Sequence, residues 1–325
     1  MRVARPNGGW CHRLPMGVLT EPFTYAQARR HGLTANELVE MCRAGELVRP
    51  HRGVYLPAQL IDDVDARVAA VGLLLPPGAA VARESAAWML GLDVRPPDRW
   101  QAAPRLECLV PLDGIRPQHP GVNAFISTLP PDDVIVVNGV ACTTATRTAI
   151  DLARWRPRFV GLGAVDALTH ARLTTIAELR EAASRLTGHR FIRRAREVIE
   201  LCEPATESVA ESWCRLRIIE AGLPRPAVQI SLREEDGREV YRLDMGFLEA
   251  RVGVEYDGVE HHLRTVADRE RDDARREDIY RRFGWRVVAA TSPDILGHSP
   301  RLEATVMELL GISIEFRRQI WVPQA

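Results

Sequence analysis

The segment YRLDMGFLEARVGVEYDGVEHH, residues 241–262, alternates apolar and polar residues with a period of two on either side of Glu249–Ala250. A strand with one buried face produces that period, so the segment reads as an antiparallel hairpin. Pairing across Glu249–Ala250 sets Phe247 opposite Val252, Met245 opposite Val254 and Leu243 opposite Tyr256 on an apolar side. Gly246–Gly253, Asp244–Glu255 and Arg242–Asp257 fall on the other. A slip of one residue would turn the apolar set to solvent, so burial fixes this register. Asp244 and Glu255 then have Cβ atoms roughly 4.5–5.5 Å apart. Two carboxylates that close repel. Either a hard cation such as Mg²⁺ or Mn²⁺ lies between them, or both point into water beside a surface Arg242–Asp257 pair.

The flanks extend the pattern. A helix over 208–221 and an extended stretch over 227–232 precede the hairpin, and a charged helix over 266–283 and a strand over 285–290 follow it. The strings ESWCRLRIIEAGLPRP, RLDMGF, VEYDGVEHH and FGWRVVAAT occur in that order. They resemble the very-short-patch-repair-like endonucleases of the PD-(D/E)XK superfamily, whose core runs αβββαβ. The resemblance implies Asp244 as first metal ligand, Glu255 as second acidic group and the Tyr256 carbonyl as a further ligand. Asp257 stands where the motif has lysine, and this chain has none: all 43 basic residues are arginine. His261 or His262 is the expected replacement, because imidazole exchanges protons near neutral pH. Glu211 matches the family's helix glutamate, although Ser208-x-x-Glu211 equally reads as a capping box. Asp273 and Arg276 match a D-x-x-R pattern. They also fit a solvated helix laced by Asp272–Arg276, Glu277–Arg281 and Asp278–Arg282 pairs.

At the other end, residues 24–56 read as two short helices and a β-ribbon. The first helix stops at Gly32, Thr34-x-x-Glu37 is a capping box that opens the second, and Leu38, Met41 and Cys42 share one of its faces. The ribbon runs from Leu47 to Leu56 with a turn near Pro50–His51. This is a winged helix-turn-helix pattern, in which the second helix enters the major groove and the wing meets phosphate. The string FTYAQARRHGLTANELVEMCRAGELVRPHRGVYL resembles the N-terminal domain of AbiEi-type antitoxins. That resemblance places Thr34, Ala35, Asn36 and Arg43 against DNA, with Arg49, His51 and Arg52 in the wing.

Between the ends, helices are expected over 63–75, 82–90, 144–155, 158–170, 174–187 and 190–202, and strands over 106–110, 122–126 and 134–137. Ser85 and His170 are lone polar residues with structural roles. The stretch TTATRTAIDLAR, 143–154, resembles the segment after the winged helix in AbiEi-like proteins. Six scattered cysteines without a C-x-x-C pair argue against a zinc site and fit a reducing cytoplasm. No apolar run reaches a membrane span. Charge is uneven: residues 1–60 hold eight Arg against four Glu, a net of +4, and residues 201–325 hold 18 basic against 23 acidic, a net of −5.

The expectation is an α/β multidomain chain with a winged helix-turn-helix over 1–60. A mixed α/β AbiEi-like spacer or docking domain follows over 61–203, and a PD-(D/E)XK nuclease-like domain over 204–325. The function expected first is a Mg²⁺- or Mn²⁺-dependent nuclease hydrolysing DNA, with double-stranded DNA as partner and RNA left open. The alternative is a DNA-binding regulator or antitoxin whose nuclease-like domain is inert, working as a homodimer or with a toxin partner.

Overall fold

The structure is a computed structural model that describes residues 2–4, 10–12, 21–95, 105–114, 116, 122–258 and 266–313. The chain packs as two compact units, 1–151 and 152–325.

The first unit opens with β1 (Arg2–Ala4) paired antiparallel to β2 (Trp10–His12). Next come β3 (Phe23–Thr24), α1 (Tyr25–Arg30), α2 (Ala35–Arg43), β4 (Leu47–His51) and β5 (Val54–Pro57), with strand order β3-β5-β4. Both helices start on reciprocal capping boxes, Thr24 with Gln27 and Thr34 with Glu37. Each satisfies two of the amides a helix start leaves free. Gly32, at φ 86°, makes the turn between them. Phe23, Ala28, Leu33, Leu38, Leu47 and Tyr55 form one buried cluster. The ribbon turns at Arg52–Gly53, two residues later than expected, because Gly53 at φ 84° takes the bend. Pro50 stays inside β4, where it lacks a ladder donor and the register shifts between Val48 and His51.

The rest of this unit is α3 (Val64–Gly72), β6 (Ala80–Val81), α4 (Arg83–Met89), β7 (Leu106–Val110), β8 (Val122–Ile126), β9 (Val134–Val137) and β10 (Val140–Thr143). Its sheet has the order β8-β7-β6-β10-β9, and Val81, Trp88, Leu106, Cys108, Val110 and Cys142 lie in its core. Ser85 is structural: its hydroxyl donates to the Arg105 carbonyl at 2.8 Å and accepts from the Glu107 amide at 2.9 Å. Helix α5 (Ala145–Trp155) runs across the division between units.

The second unit holds α6 (Arg158–His170), α7 (Ile176–Arg185), α8 (Ile192–Glu200) and α9 (Val209–Glu220). These lead to β11 (Ala227–Arg233), β12 (Glu239–Phe247), β13 (Val252–Asp257), α10 (Val266–Phe283), β14 (Arg286–Thr291), α11 (Ser292–Leu296) and α12 (Arg301–Leu310). Strands β11, β12 and β13 form an antiparallel meander, and β14 returns parallel to β13. The hairpin register is the expected one, with Met245↔Val254, Gly246↔Gly253 and Phe247↔Val252. Ile230, Leu232, Leu243, Ile279 and Trp285 pack α10 onto the sheet.

The contacts divide the chain at 151/152, and within the second unit α6 packs directly against α9. Gly163 has no side chain, and a Cβ there would run into Val209 and Trp213 of α9. One turn along, Asp166 pairs with Arg215 of α9 at 2.6 Å, both side chains at most 1% exposed. Asp166 also accepts from the Glu203 amide at 2.8 Å, and Arg215 donates to the Leu201 carbonyl at 2.7 Å. The helices before residue 203 and the sheet after it therefore share one core.

Candidate functional site

The N-terminal surface follows from how α2 is buried. Leu38 faces the core, which leaves Ala35, Asn36, Val39, Glu40 and Arg43 exposed on the opposite side. Thr34 is exposed at the helix start, but its hydroxyl and amide are engaged with Glu37 at 2.8 Å each, so its side chain caps the helix. Arg43 pairs with Glu40 at 2.6 Å, both side chains more than two-thirds exposed. Such surface pairs contribute about 0–1 kcal/mol, so a phosphate can displace the glutamate. Arg49 and Arg52 are exposed on the ribbon, with the Arg49 guanidinium 6.0 Å from the Tyr55 ring centroid. His51 corrects the expected wing: it is 4% exposed and its ring packs edge-on against Trp88 at 6.2 Å. Burial pushes its imidazole down to about 4, so it is neutral and turned inward. Strict alternation would turn Arg49 and His51, two residues apart, to the same side; the register shift between Val48 and His51 separates them, so that Arg49 is exposed and His51 packs on Trp88.

At the C-terminal sheet, Glu211, Asp244 and Glu255 are near enough for each carboxylate to raise the energy of ionising Asp244. Burial is the larger cause, and together they push the Asp244 carboxyl up to about 6 against a hydrogen bond from the Tyr256 amide that lowers it. That amide donates to Asp244 Oδ2 at 2.7 Å, beyond the last recorded β12–β13 pair, Met245↔Val254. The carboxylate thus takes over from the strand as acceptor. Glu255 is held by both terminal nitrogens of Arg275, from α10, at 2.6 and 2.8 Å. Glu211 is buried and accepts from the Glu207 amide at 3.2 Å and from Gln229 Nε2 at 3.1 Å. Its own amide is capped by Ser208. Gln229 reaches it from a left-handed backbone, φ 50°, between the β11–β12 pairs Val228↔Met245 and Ile230↔Leu243.

Several expected partners are replaced. Arg242 pairs with Glu207 at 3.0 Å, where Asp257 had been expected. Asp257 ends β13 opposite Thr291 of β14, and the Tyr256 hydroxyl meets Ser292 Oγ at 2.8 Å. On α10 the expected Asp278–Arg282 pair is present at 3.1 Å, whereas Arg276 takes Asp273 at 2.8 Å and Arg281 takes Asp278 and not Glu277. His261 and His262 lie outside the described residues. Arg275, Gln229 and Glu207 were not singled out by the sequence. For Arg275 a signal existed: it stands one helical turn before the buried Ile279, so both share the inward face of α10.

The donor set does not suit the expected Mg²⁺ or Mn²⁺. Both oxygens of Glu255 already serve a fixed cation, the Arg275 guanidinium, and one oxygen of Asp244 serves a backbone amide. A hard divalent ion requires several free oxygens. Among the described residues, no group of three or more His, Cys, Asp or Glu is placed to hold a metal.

Two capped helices followed by an arginine-bearing ribbon at the N-terminal end are consistent with a winged helix-turn-helix module. The comparisons are more particular. Residues 21–58 match the family model described as a transcriptional regulator, AbiEi antitoxin, and residues 79–201 match the AbiEi antitoxin C-terminal domain. In both places the chain is thus similar to AbiEi antitoxin domains. Two uncharacterized proteins of Mycobacterium tuberculosis, from strains CDC 1551 / Oshkosh and H37Rv, are each 27% identical over 274 residues. The alignments cover 84% of this chain and 96% of each relative.

These matches overturn the function expected first. A DNA-hydrolysing nuclease is not what they describe, and nothing in them supports a very-short-patch-repair-like endonuclease. They favour the alternative, a regulator or antitoxin. No helix among the described residues is long and apolar enough to cross a membrane.

Proposed function

We propose that the chain is a DNA-binding transcriptional regulator of the antitoxin kind. Its winged helix holds duplex DNA, and its C-terminal sheet keeps a PD-(D/E)XK-like frame without the hydrolytic chemistry. One observation carries the first part. The exposed face of α2, with Asn36 and Arg43, adjoins a ribbon bearing Arg49 and Arg52, all within the segment that matches the regulator family. Asn36 sits in the first turn of α2, the part of a recognition helix that reaches base edges, and an asparagine amide suits adenine in the major groove. The ribbon arginines suit phosphate.

The inert frame is supported by Arg275. A guanidinium bound through two parallel hydrogen bonds neutralises Glu255, and it can neither polarise a phosphate as a Lewis acid nor deliver a metal-bound water. The antitoxin matches supply the further partner we propose, a toxin protein.

The test is fluorescence anisotropy of the full chain with a labelled duplex over a salt series. Duplex binding that weakens steeply with salt, and weakens further in Arg49→Ala/Arg52→Ala, is the expected result. Affinity that ignores both the salt and the substitutions would refute the assignment of this surface. In parallel, millimolar Mn²⁺ should leave the melting temperature unchanged, and an Mn²⁺-dependent rise would refute the inert frame.

A further inference from the structure

The segments RWRPR, 154–158, and HRFIRRAR, 189–196, contain seven arginines and no acid in thirteen residues. The fold brings them together. Arg154 Nε donates to the Arg190 carbonyl at 3.0 Å, and the Trp155 and Phe191 rings meet edge to face at 5.2 Å. Both residues are partly exposed, Trp155 at 36% and Phe191 at 42%. The Arg190 guanidinium lies 5.8 Å from the Trp155 centroid and 4.6 Å from that of Phe191.

Two features are poorly explained by folding alone. Phe191 sits at φ 61°, a left-handed conformation that a bulky side chain rarely adopts, yet the residue stays partly exposed. Glycine there would be easier for the backbone. Nearby, Arg158 and Arg194 bring like charges together, and burial and Arg158 both pull the Arg194 guanidinium below its usual value. Arg158 has Glu220 at 3.0 Å, but Arg194 Nε and Nη2 are buried without a hydrogen-bond partner. Buried donors on a cation are costly unless an acceptor, best an anion, arrives.

We propose that this patch is a second nucleic-acid surface, for a single strand. An unpaired base stacks on the Trp155–Phe191 platform while Arg158 and Arg194 take the adjoining phosphate. Exposed rings beside guanidinium groups are the combination that single-stranded DNA and RNA require. A duplex offers no free base face to such rings, so this surface and the winged helix select different forms of nucleic acid.

The experiment uses the full chain carrying Arg49→Ala/Arg52→Ala, which weakens the winged-helix surface, and fluorescein-labelled dT15 with U15 alongside. Binding of one or both strands is expected, equal to that of the unsubstituted chain. Which strand binds more tightly identifies DNA or RNA as its source. Phe191→Gly should weaken binding about 5- to 150-fold, the range for losing one stacked base, with the melting temperature unchanged or raised. Arg194→Gln should weaken binding and flatten its salt dependence by about one phosphate contact. The proposal falls if neither strand binds. It falls equally if Phe191→Gly lowers the melting temperature while binding is kept, since the ring would then be a packing residue. It also falls if Arg49→Ala/Arg52→Ala alone removes the binding, which would assign single strands to the winged helix. Failure of duplex binding would leave these outcomes intact, so the two assignments are judged separately.

Discussion

Asp166→Ala tests whether the helices before residue 203 and the sheet after it form one cooperative body. Asp166 and Arg215 are paired at 2.6 Å with at most 1% of either side chain exposed. Removing the aspartate leaves the Arg215 charge buried with the Leu201 carbonyl as its remaining recorded acceptor. It also strips an acceptor from the Glu203 amide. Breaking a buried pair from one side costs about 3–5 kcal/mol, because the remaining charge is not resolvated. At about 2–4 °C per kcal/mol for a body of this size, the melting temperature should fall by about 6–20 °C. Replacing both partners, Asp166→Leu with Arg215→Met, should restore most of the loss, since two apolar groups leave no orphaned charge. Urea unfolding followed by far-ultraviolet circular dichroism and by tryptophan fluorescence is the assay. A loss below about 1 kcal/mol would refute the account of a desolvated pair. Separate transitions, with only one probe shifted, would refute the shared core.

Arg49→Ala and Arg52→Ala should each weaken duplex binding at every sequence and lower the salt slope by about one, as loss of one phosphate contact requires. Asp244 is raised to about 6 from 3.8, so the folded state binds more protons than the unfolded one between those values. Wild-type stability therefore falls as pH rises through that window, and Asp244→Asn, which still accepts from Tyr256, should gain on wild type from pH 4 to pH 6 in thermal melts. A difference that does not change with pH would refute the burial of that carboxyl. His51 runs the opposite way: depressed to about 4 from 6.5, it is neutral when folded, and its contribution is lost as pH falls through that range. His51→Phe should remove up to about 3 kcal/mol of acid sensitivity from the first unit, measured by amide exchange at pH 4.5 and 7. Equal sensitivity in the variant would show that His51 is charged or exposed.

The helices and strands were largely legible because their signals are local. Thr34-x-x-Glu37 starts α2, the period of two sets the 241–257 hairpin and its register, and the strands at 106–110, 122–126 and 134–137 have the expected ends. Which residues of α2 face out was legible for the same reason, since the position of Leu38 determines it. His51 was not, because its burial depends on Trp88, a residue 37 positions away and invisible to any short window.

The acidic cluster divides along the same line. Alternation in the sequence was enough to bring Asp244 and Glu255 onto neighbouring positions, and the resemblance of the surrounding strings made them metal ligands. What neutralises them was decided by tertiary structure. Arg275 lies twenty residues beyond Glu255 on a helix where the sequence shows only that it shares a face with Ile279, not which carboxylate that face meets. Only the packing of Ile279 on the sheet orients α10 so that this one arginine reaches Glu255. A carboxylate's identity is written in the chain, but its charge state and partner depend on which distant group occupies the few ångströms beside it. Periodicity fixes local faces, and long-range packing fixes what those faces meet.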